Sequence, residues 1–266
     1  MRWLLFDLHA PLASFGGTAP GSVRDTGRVP SRSALLGLCA AALGSRRDDA
    51  AAHAQLDQSL LFASRCFHDE RSHVLRDYHT AQAPQQSALK RHPQHTRRDE
   101  LQVPKTDLST VLSDRYYLQN LHCTVGVTLV DGSAMTLEAL ADALRRPRFT
   151  LYVGRKSCPL HWPLHPRVVE AEDWPQALAL DREQRVATGI MFAKVDRTLP
   201  FLPEEPPSKP SETLAWDARL LPPAQLDDAQ RSQLREVQRH DQPLDRELWR
   251  YAQRSEIQWT RPGAPA

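Results

Sequence analysis

Leu35, Leu36, Leu38, Cys39, Ala42 and Leu43 fall on most sides of one predicted helix, within "TGRVPSRSALLGLCAAALGSRRDD" from Thr26 to Asp49. A helix that is apolar all round has no face to give to water, so other elements must cover it. Its ends are marked. Pro30 presets φ at the entrance, Ser31 or Ser33 can cap the first turn, and Gly44 stops the helix. The segment before it, "RWLLFDLH" from Arg2 to His9, reads as a buried strand that Pro11 ends. Between the two lies an aperiodic loop, "SFGGTAPGSVRDTGR".

The pattern then continues as alternating elements. "RDDAAAHAQLDQSL" reads as a short second helix, with Asp48 and Asp49 at its N-terminal end as the dipole prefers. "LLFASRCF" (60–67) and "SHVLRDYHT" (72–80) read as two strands joined in a hairpin by the turn "HDER". Residues 81–112 are polar, hold three prolines and form a long irregular excursion. "SDRYYLQNLHCTVGVTLV" resumes as strand, so the excursion has strands at both ends, as a protruding hairpin would. "MTLEALADALRRP" (135–147) is an amphipathic helix stopped by Pro147. "FTLYVGRKSCPL" reads as a strand ending in a Gly-Arg-Lys-Ser turn, and "QRVATGIMFAKVDR" (184–197) as a further strand. Residues 200–213 are proline-rich and read as a linker or surface loop, and the polar tail from Leu226 to Tyr251 reads as helical. No internal repeat is visible. This order predicts an α+β chain close to the ferredoxin-like β-α-β-β-α-β pattern, a fold that by itself does not settle function.

Charge adds information by its distribution. The formal net charge is only +2, but Met1 to Arg47 holds six arginines against two aspartates, whereas the chain from Pro200 onward has nine basic and eleven acidic residues. Arginine outnumbers lysine 29 to 5, which suits phosphate forks but also follows from a GC-rich genome. The four cysteines, Cys39, Cys66, Cys123 and Cys158, have neither metal-ligand spacing nor a CxxC, and no disulfide framework is expected. The start "MRWLLFDLHAPL" lacks the long apolar core of a signal peptide, and no run approaches the length of a membrane span, so a cytoplasmic location is the expectation.

Three basic spots are candidate anion sites. Arg24, Arg28 and Arg32 recur at intervals of four around the glycine loop and the helix entrance, where amide donors and guanidinium forks together hold phosphate; a solvated loop with surface arginines is the competing reading. From Arg71 to Gln119 there are eight Lys/Arg against five Asp/Glu, with His73, His79, His92 and His95 and flanking Tyr78, Tyr116 and Tyr117. Basic residues interleaved with aromatics suit single-stranded nucleic acid, and a polar surface loop is the alternative. Gly154, Arg155, Lys156 and Ser157 form a third spot, either a phosphate cradle or an ordinary turn. No P-loop and no Gly-x-Ser-x-Gly occurs. The pairs His92/His95 and His161/His165 have ligand-like spacing but are interrupted by proline and lack accompanying ligands. His79 with Tyr78 or Lys90 could form a metal-independent ribonuclease set, with RNA binding without cleavage as the alternative.

The opening strand, the "FGG" loop, "DTGRVPSRSALLGLCAAALGSRRDD", "RDYHT" and "LYVGRKSCPL", in this order, resemble the type I-E branch of the Cas-five family of CRISPR-associated RAMP proteins. The resemblance runs from Met1 to about Leu160. It implies a ferredoxin-like (RRM/RAMP) domain over 1–160 with a β-hairpin thumb at about 81–112, followed by an irregular C-terminal region over 161–266. It further implies a non-catalytic subunit of the Cascade complex that grips the 5′ handle of crRNA. Its neighbours would be the backbone subunit and the large subunit, with target DNA engaged only through the complex. No cofactor and no membrane are implied. The alternative is a metal-independent endoribonuclease acting on CRISPR repeat RNA. Carried onto this chain, the handle-binding residues are Arg24, Arg28, Ser31, Arg32 and Ser33. Tyr78 and His79 lie at the thumb base, Lys90, Arg91, Arg97 and Arg98 on the thumb, and Arg155 and Lys156 at a second edge.

Overall fold

A computed structural model describes the chain except for residues 18, 20, 69–71, 90–95, 179–210, 221–225, 246–247, 249 and 262–266. β1 (Arg2–Ala13) is buried on both faces: Leu4, Phe6 and Leu8 point to one core, Trp3 and Leu5 to a second. A strand with two apolar faces belongs inside a sheet, and β1 lies between β5 (Leu108–Leu129) and β6 (Arg167–Glu170). It does not stop at Pro11. The ladder skips that residue, which faces Asn120 in left-handed conformation (φ 52°), and resumes at Leu12. An imino residue that cannot donate is tolerated at such an irregularity.

The two main helices form where the sequence marks them. α1 (Arg32–Leu43) is capped by Ser31, whose hydroxyl accepts from the Ala34 N–H, and ends at Gly44 (φ 85°), whose N–H bonds the Ala40 and Ala41 carbonyls. α2 (Ala50–Ser59) follows, capped by Asp49. α5 (Leu137–Arg145), capped by Thr136, lays Leu137, Leu140 and Leu144 beside α1 on the same face of the sheet. Between α2 and α5 come β3 (Leu60–His68), β4 (Val74–Pro84), the short helices α3 (Gln86–Leu89) and α4 (Arg97–Leu101), and β5.

Nine strands among the described residues form one large sheet, in the order β6-β1-β5-β3-β7-β9-β8, antiparallel except for the short β2 (Val23–Arg24), which like β4 is attached to β5. β7 (Ser211–Asp217), β8 (Arg235–Asp245) and β9 (Arg250–Arg261) extend it beyond β3. The boundary placed at residue 160 from the sequence thus falls between strands of one sheet. Trp3, Leu5, Trp174, Leu214, Trp216 and Trp259 form the core on the face away from α1 and α5, with the rings of Trp174 and Trp216 4.8 Å apart.

Several local expectations are corrected. β3 and β4 do not pair with each other. Both pair with β5, β3 along its last third and β4 along its first half, because β5 is 22 residues long and leaves the sheet midway. Residues 149–160 form a loop with a single bridge, Tyr152 to Pro159, rather than a strand. The described residues of 226–251 do not form the expected helix: after one helical turn (Asp228–Arg231) come β8 and the start of β9. The stretch reads as a polar helix because these strands carry paired charges on one face. Arg239, Asp241, Arg254 and Glu256 stand there, the two carboxylates buried and the two arginines half-buried. The strand expected over 184–197 and most of the proline-rich stretch lie outside the described residues.

Candidate nucleic-acid interface

The glycine loop is closed at its neck. The Phe15 N–H donates to Thr26 Oγ1 at 2.9 Å, and the Gly27 N–H donates to the Phe15 carbonyl at 2.8 Å. Its far limb, β2, lies parallel to β5, with Val23 opposite Asp114 and Arg24 opposite Arg115. Arg24 is exposed, and its Nη1 also bonds the Gly21 and Val23 carbonyls at 2.6 and 2.9 Å. Arg28 is exposed too. One of its donors, on Nη2, reaches the Ser72 carbonyl at 3.2 Å and ties the loop to the start of β4. The other donors of that fork point away from this bond.

Arg155 stands at the meeting of three segments. Its Nη2 donates to the Arg24 carbonyl at 3.0 Å, its Nη1 to the Tyr116 carbonyl at 3.3 Å, and its guanidinium lies 4.8 Å from the Tyr117 ring centre. Its fork is turned onto the protein, so it positions Arg24 rather than presenting a free edge. The turn that carries it needs glycine before it. Gly154 has φ 85°, and a Cβ there would lie 1.7 Å from the Ser14 carbonyl oxygen. Lys156 beside it is exposed.

The β4–β5 hairpin is paired from Val74/Leu118 to Pro84/Leu108. Tyr78 and His79 are both exposed near its base but, as neighbours on a strand, point to opposite faces. His79 Nδ1 is 3.3 Å from Asp77 Oδ2. They therefore do not converge as a catalytic pair. Arg97 and Arg98 lie on α4 at the far end, where Arg97 bonds Glu100 and the Gln82 carbonyl. Gln82 is six steps along the strand from Arg76, so that end is roughly 20 Å from the base. Lys90 and Arg91 lie outside the described residues.

Arg32 and its neighbours require a correction. Arg32 is 2% exposed and held by carboxylates of the protein itself: Nε bonds Asp57 at 2.9 Å and Nη1 bonds Asp217 at 3.1 Å. Nη2 donates to the Asp57 and Leu60 carbonyls at 2.6 and 3.0 Å. Its backbone N–H, the donor expected to face a phosphate, donates to Asp241 Oδ2 at 2.7 Å. Asp241 also accepts from Arg254, at 2.7 and 3.1 Å. Burial lowers the Arg32 pKa, an effect that Asp57 and Asp217 oppose. Burial alone would raise the Asp217 carboxyl, yet hydrogen bonds from Arg219 and the charges of Arg219 and Arg32 hold it below the usual range. Ser31 is buried as the cap, and Ser33 Oγ lies 3.2 Å from Ser31 Oγ. The helix entrance is thus filled from within, and the exposed cations of this cluster are Arg24 and Arg28.

Sequence reasoning missed Arg115, which register sets beside Arg24. It also missed the apolar exposure of the hairpin at Val74, Leu75, Val111 and Leu112, legible as strand-like apolar positions with no core element to cover them. Among the described residues no group of three or more His, Cys, Asp or Glu side chains could hold a metal ion, and no helix is long and apolar enough to cross a membrane.

Comparison with known proteins gives the family. The family model described as CRISPR-associated protein (Cas_Cas5) matches residues 3–256. The chain is 35% identical over 189 residues to "CRISPR system Cascade subunit CasD" of Escherichia coli (strain K12), a match that covers 68% of this chain and 77% of that protein. Its fold is similar to a chain of a "CRISPR RNA-guided surveillance complex", with TM-score 0.57 and 25% identity, covering 99% of this chain and 90% of that one. A structure titled "Crystal structure of Cas protein" superposes with TM-score 0.53 at 23% identity, covering 99% and 97%. With nearly its whole length matched, the chain belongs to the CRISPR-associated Cas5 family.

Proposed function

We propose that this chain is a non-catalytic RNA-binding subunit of a type I-E Cascade complex, which holds the 5′ handle of crRNA and caps one end of the backbone filament. The observation that carries the reading is the meeting of exposed Arg24 and Arg28, with Arg115 and Lys156 alongside, at the base of a long hairpin. Rigid guanidiniums beside a strand edge suit a backbone of phosphates. The relative's name, a Cascade subunit, and the surveillance-complex likeness support membership of such an assembly. The ferredoxin-like reading is supported by the order β6-β1-β5-β3 with α1 and α5 on one face. In this reading the hairpin is the thumb, and its exposed Val74, Leu75, Val111 and Leu112 dock on the backbone subunit. The large subunit sits nearby, target DNA is met only through the complex, and the site of action is the cytoplasm. The RAMP part (1–160) carries the grip, and the remainder (161–266) completes the sheet.

The test is binding of labelled repeat RNA at several salt concentrations. Arg28→Ala or Arg24→Ala is expected to weaken binding and to reduce the slope of log K against log salt by about 0.7 per lost phosphate contact. Unchanged slopes in both variants would remove the handle-binding assignment. Incubation of the wild type with repeat RNA in EDTA tests the nuclease alternative: cleavage abolished by His79→Ala would replace this reading.

A further inference from the structure

The outer edge of β4 can be read bond by bond. The Gln119 N–H donates to the His73 carbonyl at 2.9 Å, and the Gln85 N–H donates to the Asp107 carbonyl at 2.8 Å. Between these bonds β4 and β5 pair one-to-one without a shift. Successive residues of an antiparallel strand turn their backbone groups to opposite sides, so odd-numbered residues face β5 and even-numbered residues face outward. Two arginines take the outward carbonyls at either end. Arg28 donates to Ser72 at 3.2 Å, and Arg97 donates to Gln82. Among the described residues, nothing pairs with the outward N–H and C=O groups of Val74, Arg76, Tyr78 and Thr80 between them. Residues 74–82 are exposed, apart from half-buried Asp77.

The other edges of the sheet are protected. β6 is four residues long. β8 carries Pro243 and several charges, and its pairing shifts register between Arg239 and Gln242 and again between Pro243 and Asp245. On the far side of the hairpin the Asp114 N–H donates to the Ser22 carbonyl at 3.1 Å, and the Tyr116 carbonyl accepts from Ser14 and Arg155 at 3.3 Å. Short strands, bulges, proline and charge all discourage edge pairing. β4 has neither bulge nor proline between residues 74 and 80, and its charges close on the hairpin itself, Arg76 on Asp114 and Asp77 on His79.

The open groups also restrict the occupant. Donors and acceptors alternate along about 20 Å, at the spacing of another extended backbone. A run of phosphates offers acceptors only and would leave the four carbonyls unmet. A second copy that paired all four residues antiparallel would set Asp77 against its own counterpart, an unfavourable like-charge pair. Exposed Val74 and Leu75 lie on opposite faces of β4, so alternate side chains of an added strand find an apolar neighbour on each face.

We infer that the outer edge of β4, over residues 74–80, receives an extended segment of a neighbouring protein subunit by strand addition. This deepens the proposed docking of the hairpin within the complex and rests on that reading.

The experiment compares the full chain alone with the complex assembled from coexpressed Cascade subunits and guide RNA. Amide hydrogen exchange is read residue by residue across 74–80. The outward amides at 74, 76, 78 and 80 are expected to exchange at least about tenfold more slowly in the complex. Thr80→Pro removes one outward donor and no bond to β5, so the melting temperature of the free chain should stay within a few degrees. Its yield of complex should fall at least about threefold, whereas Thr80→Ala, which keeps the N–H, stays within about twofold of wild type. If Thr80→Pro unfolds, the wild-type exchange decides alone. Unchanged outward amides in a complex that assembles normally, or full yield from a folded Thr80→Pro, would overturn strand addition and leave the docking reading intact. Slowing by guide RNA alone, or in a dimer of the free chain, would assign the edge to RNA or to a second copy and overturn the inference. A wild-type chain that enters no complex would overturn the docking reading and the inference together.

Discussion

The guanidinium of Arg32 pairs with Asp57 and Asp217 inside the protein, so its removal leaves Asp57 without this cation and Asp217 with Arg219 alone. Arg32→Met is expected to cost about 3–5 kcal/mol of stability, read from urea unfolding, while Arg28→Ala leaves the urea midpoint nearly unchanged. The reverse outcome would mean that the two arginines had exchanged roles. Nothing local separates them in sequence. Both precede or open the same helix, and the partners that bury Arg32 lie 25, 185 and 209 positions away. The caps of α1, by contrast, were legible, because Ser31 and Gly44 act on their own turn. His9 gives a pH prediction. Burial first, then the charges of His122, His161 and His165, push its imidazole down to about 3. The unfolded chain titrates near 6.5, so between these values it binds more protons than the folded chain. This contribution is whole above about pH 6.5 and is lost as pH falls, by up to about 1.4 kcal/mol per unit. His9→Phe should therefore show a smaller drop in urea midpoint from pH 6.5 to 4.5 than wild type. Parallel curves would contradict it.

At the scale of elements, the β4–β5 hairpin and the Arg155 turn divide the work. The hairpin's ladder is complete from residue 74 to 84, so its end can be shortened without unpairing its base. Replacing residues 85–107 by Asn-Gly should leave the melting temperature within a few degrees and abolish entry into the assembled complex, as judged by size exclusion of coexpressed subunits. Normal entry would mean that the end makes no required contact. Arg155→Lys tests the clamp. A lysine cannot bridge the Arg24 and Tyr116 carbonyls while covering Tyr117. Faster amide exchange at residues 22–27 and weaker RNA binding are expected, with unaltered exchange in α5. Helices α1, α2 and α5 could be read from capping and periodicity. β8 and β9 could not, because alternating charge is ordinarily a mark of solvent. Here Asp241 and Glu256 are buried, and Arg254 pairs with Asp241 across the hairpin and with Glu256 two residues along its own strand. The ferredoxin-like order could be anticipated from element sequence alone, whereas the division of β5 between two partners could not, since a 22-residue strand carries no mark at its midpoint.

For the whole molecule, the sheet's continuity past residue 160 predicts how fragments behave. A fragment of residues 1–160 would expose Trp3 and Leu5, whose packing partners Trp174, Leu214 and Trp216 all come later. Each such side chain left in water forfeits about 1.5–3 kcal/mol. The fragment should show no cooperative urea transition, and a sharp one would establish residues 1–160 as an autonomous unit. The clasp at the α1 entrance carries this dependence to the ribosome. Asp241, which receives the Arg32 amide, is added only after nine-tenths of the polypeptide has been synthesised. The nascent chain must therefore leave the first amide of its most apolar helix without this carboxylate through most of translation. Premature termination anywhere before the final hairpin should yield a product fit for degradation, so the cell never stocks a shortened copy that competes with the full chain.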